Sequence, residues 1–575
     1  MKHFVSIDFE YRKLPNRLEI LCVVAQCLST RRTWRQWLGG EESPSPSFPC
    51  GSDVVFVAHA IAAAEARCLV TLGWPFPYAW IDTFVEEKVL AKGARLEEGF
   101  GLLACCRRRG IPVIADYQKE DMRALCLRPG DHSPEERKRI LEYCESDVIA
   151  NAALFHAIRN EIAFEQAWLR GLVASEYGRI TECGIPVDMS RAPVLLDLGN
   201  AGLRTLFAEH LDSHQILRNG SLDMELFAAL VEKCGLSGIW PKTPQGRLMI
   251  DKDTLKEMAK IHGQPWEDVQ QLMKSVRGAG VDSLVVRDDG RLVADLKPFG
   301  TLTGRCAPST SSFLWNGPKW LRFLLQPPPG RTVLVMDWSN QEFGVAAALS
   351  QDQAMLDAYL SGDPYLAFAK QAGHVPAEAT ATEFPEQRAR FKVLSLAVLM
   401  GMTEWGIAKR LGVDLSTARE LLNLHRRTFR YYWRWSDDVA STAAANLPLE
   451  TAFGLVYQPG RQSKERTARN FLLQATGSDM LRVALALMAE KGIEILATVH
   501  DSVMVECDTA QADEIQRISM QCMLEASRIV LWDRLELRMD VTRVDHPFHY
   551  QDSKGRSYWL RLAGLIDVLL DDHGG

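Results

Sequence analysis

Two short runs decide how this chain is read: Val333-Leu334-Val335-Met336-Asp337-Trp338-Ser339 and Leu496-Ala497-Thr498-Val499-His500-Asp501-Ser502-Val503. Each is an apolar stretch that ends in an aspartate. Such a run predicts a buried strand with a carboxylate at the lip of its sheet. Two lips meet when the strands are neighbours, however far apart they lie in sequence. Between them runs Glu386-Gln387-Arg388-Ala389-Arg390-Phe391-Lys392, a helical pattern that continues to Met400 and ends at Gly401. Arg388 and Lys392 are four apart, so they share a helix face. A lone Arg-x-x-x-Lys is ordinarily a solvated face, and a lone strand-end aspartate is ordinarily a turn residue. Together, two acids for metal ions and two cations for phosphates form the set that phosphoryl transfer needs.

Bulk properties bound that reading. The 575 residues are 47% apolar and 24% charged, which is ordinary soluble composition, with length for roughly three or four domains. A net charge of -7 excludes a uniformly basic surface but not a local basic channel. Thirteen cysteines without a CxxC pair fit reduced thiols and give no sign of structural zinc. A strand-like run starts almost at residue 1, which leaves no room for a leader peptide. Apolar stretches of about ten residues, as at Val393 to Met402, are too short to span a bilayer. The expectation is a cytoplasmic monomer with no membrane partner.

The first 160 residues alternate strand and helix patterns. Phe4–Phe9, Leu18–Cys27 and Asp53–Ala58 read as strands, and Ser43-Pro44-Ser45-Pro46-Ser47 as a turn-rich loop. An Ala-rich helix is expected from about Ala60 to Leu72. A longer one is expected from Pro134 to Ala157, with Glu135 and Glu136 in its first turn. From about 165 to 300 the pattern is mostly helical, broken at Asn219-Gly220, Pro241 to Gly246 and Arg277 to Gly280. Asp363 to Leu447 is strongly helical, with loops at Gly373–Thr382 and Gly412–Asp414. Strand patterns return around Asp501.

In this order, the motifs resemble those of family A DNA polymerases. Asp337-Trp338-Ser339-Asn340-Gln341-Glu342 is similar to the family's Asp-Tyr-Ser-Gln-Ile-Glu. Arg388-x3-Lys392-x8-Gly401 resembles the nucleotide-binding helix of the fingers, and Val499-His500-Asp501 the third motif. Weaker elements agree. Gly184-Ile185-Pro186-Val187-Asp188 resembles the start of the polymerase domain, and Thr243-Pro244-Gln245-Gly246-Arg247-Leu248 the thumb signature. Thr303-Gly304-Arg305, Asn316-Gly317-Pro318 and Arg322 resemble the approach to the palm. Glu465-Arg466-x3-Asn470-x3-Gln474-Ala475-Thr476-x2-Asp479 resembles the helix that faces the minor groove.

The resemblance implies roles. Asp337 and Asp501 would hold two Mg2+ ions (or Mn2+) and act as the catalytic acids. Arg388 and Lys392 would cradle the triphosphate, and Glu342 would exclude a ribose 2′-hydroxyl. Arg305, Gln474 and His500 would touch primer and template. Arg426, Arg427, Arg461, Lys464, Arg466 and Arg469 are candidate contacts to the DNA backbone. Three positions depart from the family: Leu396 and Met400 stand where it has aromatic residues, and Ser502 stands where it often has Glu. The missing tyrosine at Met400 would normally pack beside the sugar-excluding glutamate.

Near the N-terminus, Asp8-Phe9-Glu10 puts two acids on one side of a strand. Tyr143-Cys144-Glu145-Ser146-Asp147 puts Tyr and Asp one helical turn apart. These resemble the first and third motifs of DEDD-type 3′–5′ exonucleases of the tyrosine subtype. Asp8, Glu10 and Asp147 would hold two metal ions, and Tyr143 would orient the attacking water. The second motif, Asn-x3-Asp, has no match in Ala58 to Arg67. Glu65 is the nearest acid there and the expected metal ligand, with Asp82 as the alternative.

The resulting expectation is an α/β and α+β multidomain protein. A ribonuclease H-like 3′–5′ exonuclease domain (1–160) precedes a right-hand polymerase domain (161–575). The thumb falls at about 190–300, the palm at about 301–352 and 450–575, and the fingers at about 353–449. Primer-template DNA and deoxynucleoside triphosphates are the expected partners. The absence of a 5′-nuclease domain ahead of residue 1 suggests a phage-type or plasmid replicase, or a repair enzyme. Two rivals are an exonuclease with a degenerate polymerase half and a primer-template-binding scaffold.

Overall fold

The computed structural model describes residues 3–14, 17–40, 44–77, 79–278, 280–308, 312–460 and 463–573. Ser43 of the expected loop and the candidate cation Arg461 lie outside the described residues. The N-terminal sheet contains β1 (His3–Lys13), β2 (Leu18–Cys27), β3 (Thr33–Trp37), β4 (Val54–Ala58) and β5 (Trp80–Asp82). Its spatial order is β3-β2-β1-β4-β5. Strands β1, β2 and β3 are antiparallel through short turns, whereas β4 and β5 run parallel to β1. Every residue of β4, Val-Val-Phe-Val-Ala, is buried, as a parallel strand covered on both faces requires. The helix Pro134–Ile158 packs on β1 and β2 and starts with a Ser133/Glu136 capping box.

The expected helix from Ala60 is shorter than its composition suggested. Residues 59–64 form turns, and the helix runs over Glu65–Leu72. Ala60 has φ 68°, and the amides of Ala60 and Ile61 donate to the Asp82 carboxylate at 2.9 and 3.0 Å. Asp82 also caps the helix Thr83–Leu90 through the Phe84 amide. One buried carboxylate therefore takes the amides that a helix start would have used.

The helix Phe164–Cys183 links the two halves and packs against β5 and the helix Glu65–Leu72. A side chain at Gly171 would run into the Trp80 carbonyl, so the close approach requires glycine. Beside it, Arg170 and Glu86 form a buried bidentate pair with both contacts at 2.7 Å. Beyond, Asn219 and Gly220, both at positive φ, turn the hairpin between Leu217–Arg218 and Ser221–Leu222.

A second sheet is antiparallel and four-stranded. Its order is Ile495–Val499, Ser502–Asp508, Arg331–Trp338, Met539–Asp545. The helix Ala512–Val530 packs on it, and the 26-residue helix Glu465–Glu490 packs on that helix. Glu465–Glu490 is long and apolar enough to cross a bilayer, against the expectation from uninterrupted apolar runs. However, 89% of its apolar window is buried inside the protein, as in a core helix. Between the strands come the helices Pro364–Gln371, Pro385–Leu399, Glu404–Leu411, Leu415–Thr428 and Arg430–Ala444.

Candidate active sites

The two aspartate-ended runs meet. Asp337 lies opposite Ser502 on one neighbouring strand and opposite Asp540 on the other. Asp501 sits with His500 in the tight turn between Val499 and Ser502, and His500 takes φ 60° to close it. Burial and then the charges of Asp501 and Asp540 push the Asp337 carboxyl up to about 7. Burial also raises Asp501, against the pull of Arg305. A carboxylate whose ionisation its acidic neighbours disfavour belongs to a donor set suited to divalent cations.

Arg388 and Lys392 lie on the helix Pro385–Leu399, which packs on the helix Gln341–Ser350 that follows Asp337. Arg388 is held by an ion pair to Asp363. The Lys392 ammonium lies 5.6 Å from the ring centre of Tyr365 and is exposed. Burial and then the neighbouring Glu342 and Asp363 push the Tyr365 hydroxyl up to about 12. Glu342 accepts a hydrogen bond from the Gln474 side-chain amide. Its partner therefore comes from the helix Glu465–Glu490, 132 residues away, where the family resemblance suggested a tyrosine at Met400. Met400 instead offers its backbone carbonyl to Arg466 Nε at 2.8 Å.

Some candidate DNA-contacting cations are engaged within the protein. Arg469 is paired with Glu465 and Asp437 at 2.7 and 2.8 Å, and Arg426 stacks 3.8 Å from the Trp433 ring centre. Lys464 and Arg427 are exposed. Asp363 and Tyr365 went unnoticed in the sequence because Asp363-Pro364 is a complete helix-start signal by itself. Asp363 does serve as that cap, accepting from the Leu366 amide at 3.2 Å.

The N-terminal acids also converge. Asp8 and Glu10 share one side of β1, and the Cys144 thiol donates to Asp8 Oδ2 at 3.3 Å. Ligand atoms of Asp8, Glu10 and Cys144 all lie within 4.8 Å of one another. Burial and then Asp147 push the Asp8 carboxyl up to about 7, opposed by Cys144 and Lys119. Burial, then Asp8 and Asp147, raise Glu10. Lys119 pairs with Asp147 at 2.9 Å and lies 5.8 Å from the Tyr143 ring centre. Burial and then Asp147 raise the Tyr143 hydroxyl.

Glu65 belongs to this cluster. It is 1% exposed, its Oε2 has no hydrogen-bond partner, and burial and then Asp8 raise its carboxyl. An orphaned buried carboxylate oxygen facing other acids fits a divalent cation. Asp82 fits one poorly, because backbone amides on both sides of it occupy its oxygens. Cys144 could have been noticed inside the Tyr143–Asp147 motif; Lys119 carries no sequence signal at all.

A sheet end that unites two carboxylates, near a helix that carries an arginine and a lysine one turn apart, has the layout of a metal-dependent phosphoryl-transfer enzyme. Residues 214–544, more than half of the chain, match the family described as DNA polymerase family A, and the chain belongs to that family. It is 26% identical over 463 residues to DNA polymerase I of Aquifex aeolicus, covering 73% of this chain and 76% of that protein. It is also 26% identical over 309 residues to DNA polymerase I of Pseudomonas aeruginosa, covering 49% of this chain and 33% of the relative. Over 277 residues it is 26% identical to thermostable DNA polymerase I of Thermus thermophilus, covering 45% of this chain and 33% of the relative. The chain thus aligns with three-quarters of the first relative and one-third of the other two. The POL domain of Pol1 from M. smegmatis, solved in complex with DNA primer-template and dNTP, has a similar fold. The TM-score is 0.68 at 18% identity, over 94% of this chain and 95% of that one. The chain accordingly has the right-hand fold of a family A polymerase domain.

Proposed function

We propose that this chain extends a primer 3′ end along a DNA template at Asp337 and Asp501, and that its N-terminal domain trims primer 3′ ends. The observation that carries the first activity is the meeting of Asp337 and Asp501 at one sheet end in a family A polymerase. Asp337 and Asp501 would hold two divalent ions, Mg2+ or Mn2+, which lower the pKa of the attacking hydroxyl and neutralise developing phosphate charge. Arg388 and Lys392 cradle the triphosphate of the incoming nucleotide. Glu342, fixed by Gln474, occupies the space a 2′-hydroxyl would need. Arg305 and His500, near Asp501, contact primer and template.

For the nuclease, the sheet order β3-β2-β1-β4-β5, with β2 antiparallel, supports a ribonuclease H-like domain over 1–160. Asp8, Glu10, Glu65 and Asp147 form its acid set, and Tyr143 orients the attacking water. The polymerase domain spans 161–575, with the thumb at about 190–300, the palm at about 301–352 and 450–575, and the fingers at about 353–449. Thirteen free thiols suit a reducing cytoplasm. A degenerate polymerase half is disfavoured, because Asp337, Asp501, Arg388 and Lys392 are all present.

A single-turnover assay on a primer-template labelled at the primer 5′ end, with Mg2+, tests both activities. The proposal expects extension when nucleotides are present and 3′-terminal shortening when they are withheld. A chain that binds the duplex but does neither is a scaffold; one that only shortens the primer has a degenerate polymerase half.

A further inference from the structure

We propose that Asp540 is a third carboxylate of the polymerase metal site, an inference that rests on Asp337 and Asp501 being its metal-binding pair. The register carries it. Ser502, Asp337 and Asp540 form one row across three adjacent antiparallel strands. Directly opposed residues of antiparallel strands project from the same face, with Cβ atoms about 5 Å apart. Asp540 is exposed on that face, as Asp337 is, whereas Ser502 is buried.

Ser502 contributes no ligand from its side of the row. Its hydroxyl donates to the Val499 carbonyl at 3.1 Å, which turns it back into the tight turn. The acid on the opposite side of Asp337 is therefore the one available to the site.

The arginines of Asp540's own strand region do not account for it. Arg538 donates to the Tyr359 carbonyl at 3.1 Å, with its guanidinium 5.0 Å from the Tyr359 ring centre. Arg543 pairs with Asp513 and Asp545 at 2.7 and 2.9 Å. Two aspartates directly opposed in a sheet repel each other unless a cation lies between them. An Asp–Asp pair at the lip of a sheet, flanked by Asp501, is what a divalent ion would join.

The test compares Asp540→Asn, Asp337→Ala and the double variant Ser502→Glu/Asp540→Asn with the wild type. Mn2+ binding is read from the electron paramagnetic resonance signal of free Mn2+, without DNA or nucleotide. The ions lost in Asp337→Ala identify the polymerase site. Asp540→Asn should weaken that class of ion on the order of tenfold or more. The Mg2+ concentration for half-maximal extension should rise in parallel, while primer-template affinity stays unchanged. Ser502→Glu, facing Asp337 from the other side, should restore much of both in the double variant. Wild-type Mn2+ affinity in Asp540→Asn would overturn the proposal. So would a loss of extension at an unchanged Mg2+ requirement, which would make Asp540 structural. If Asp337→Ala itself keeps both its Mn2+ sites and its extension, the underlying reading of the metal pair fails instead.

Discussion

The two acid clusters solve the same problem differently. At the proposed palm site, Asp337 and Asp501 stand at the open end of a sheet, with Arg305 as the main opposing charge felt at Asp501. In the N-terminal domain, Asp8 and Glu10 are half-buried on β1, with the buried Glu65 and Asp147 coming from two different helices. There the Lys119 ammonium and the Cys144 thiol lie among them. An open cluster can admit a primer end, a triphosphate and ions together. A partly buried cluster must balance its charge internally before a strand end enters. The palm site should therefore respond mainly to loss of its carboxylates, and the N-terminal site also to loss of its internal cation.

The largest effects should come from the first carboxylates. Asp501→Ala removes a metal ligand whose contribution is several kcal/mol, so extension should fall on the order of a thousandfold or more, with primer-template affinity within a few-fold. Rapid-quench extension and a binding titration decide it; near wild-type extension would remove Asp501 from the site. Glu65→Ala should cost primer degradation on a similar scale and leave extension intact. Full nuclease activity in that variant would show that the acid set is complete without Glu65.

A smaller effect is expected at Lys392. Replacing it with Ala should weaken nucleotide use far more than duplex binding, because its ammonium is not tied to a carboxylate as Arg388 is to Asp363. Comparable losses in both constants would move Lys392 out of the triphosphate site. Gln474→Ala should release Glu342 and raise ribonucleotide incorporation, measured as the ratio of incorporation efficiencies. Unchanged discrimination would mean that Glu342 needs no partner.

The smallest expected effect is on stability. The Asp8 and Asp337 carboxyls are raised from 3.8 to about 7. Between those limits the folded chain holds protons that the unfolded chain has released. Stability of the metal-free protein therefore falls as pH rises from about 4 to about 7, the sign set by more protons bound in the native state. Thermal melts in a chelator should show that fall, Asp8→Asn should flatten it, and Mn2+ at pH above 7 should reverse it. A melting temperature that rises through this window in the wild type, and equally in Asp8→Asn, would contradict the raised carboxyls.

What the sequence revealed follows from how local each signal is. Asp337 and Asp501 terminate short, mostly apolar runs, so strand, sheet end and carboxylate are all written in a few adjacent residues. The helix that carries Arg388 and Lys392 is equally local. Strand β3, Thr-Trp-Arg-Gln-Trp, carries no period-2 pattern, because its two tryptophans are three residues apart; it lies at a sheet edge, where Arg35 pairs with Glu145. The turns at 59–64 were illegible because the carboxylate that holds them lies at Asp82. Gln474 on Glu342, Lys119 on Asp147 and Asp540 opposite Asp337 are likewise long-range contacts that only the assembled sheets and helices create.

The central claim is that one chain carries two acid sites with separable chemistries. The direct measurement follows extension and 3′ degradation of the same labelled primer-template by Asp337→Ala and Asp8→Ala, each in single turnover with Mg2+. The account predicts that Asp337→Ala loses extension and keeps degradation, and that Asp8→Ala loses degradation and keeps extension. Loss of both activities in either variant, or of neither, would contradict it.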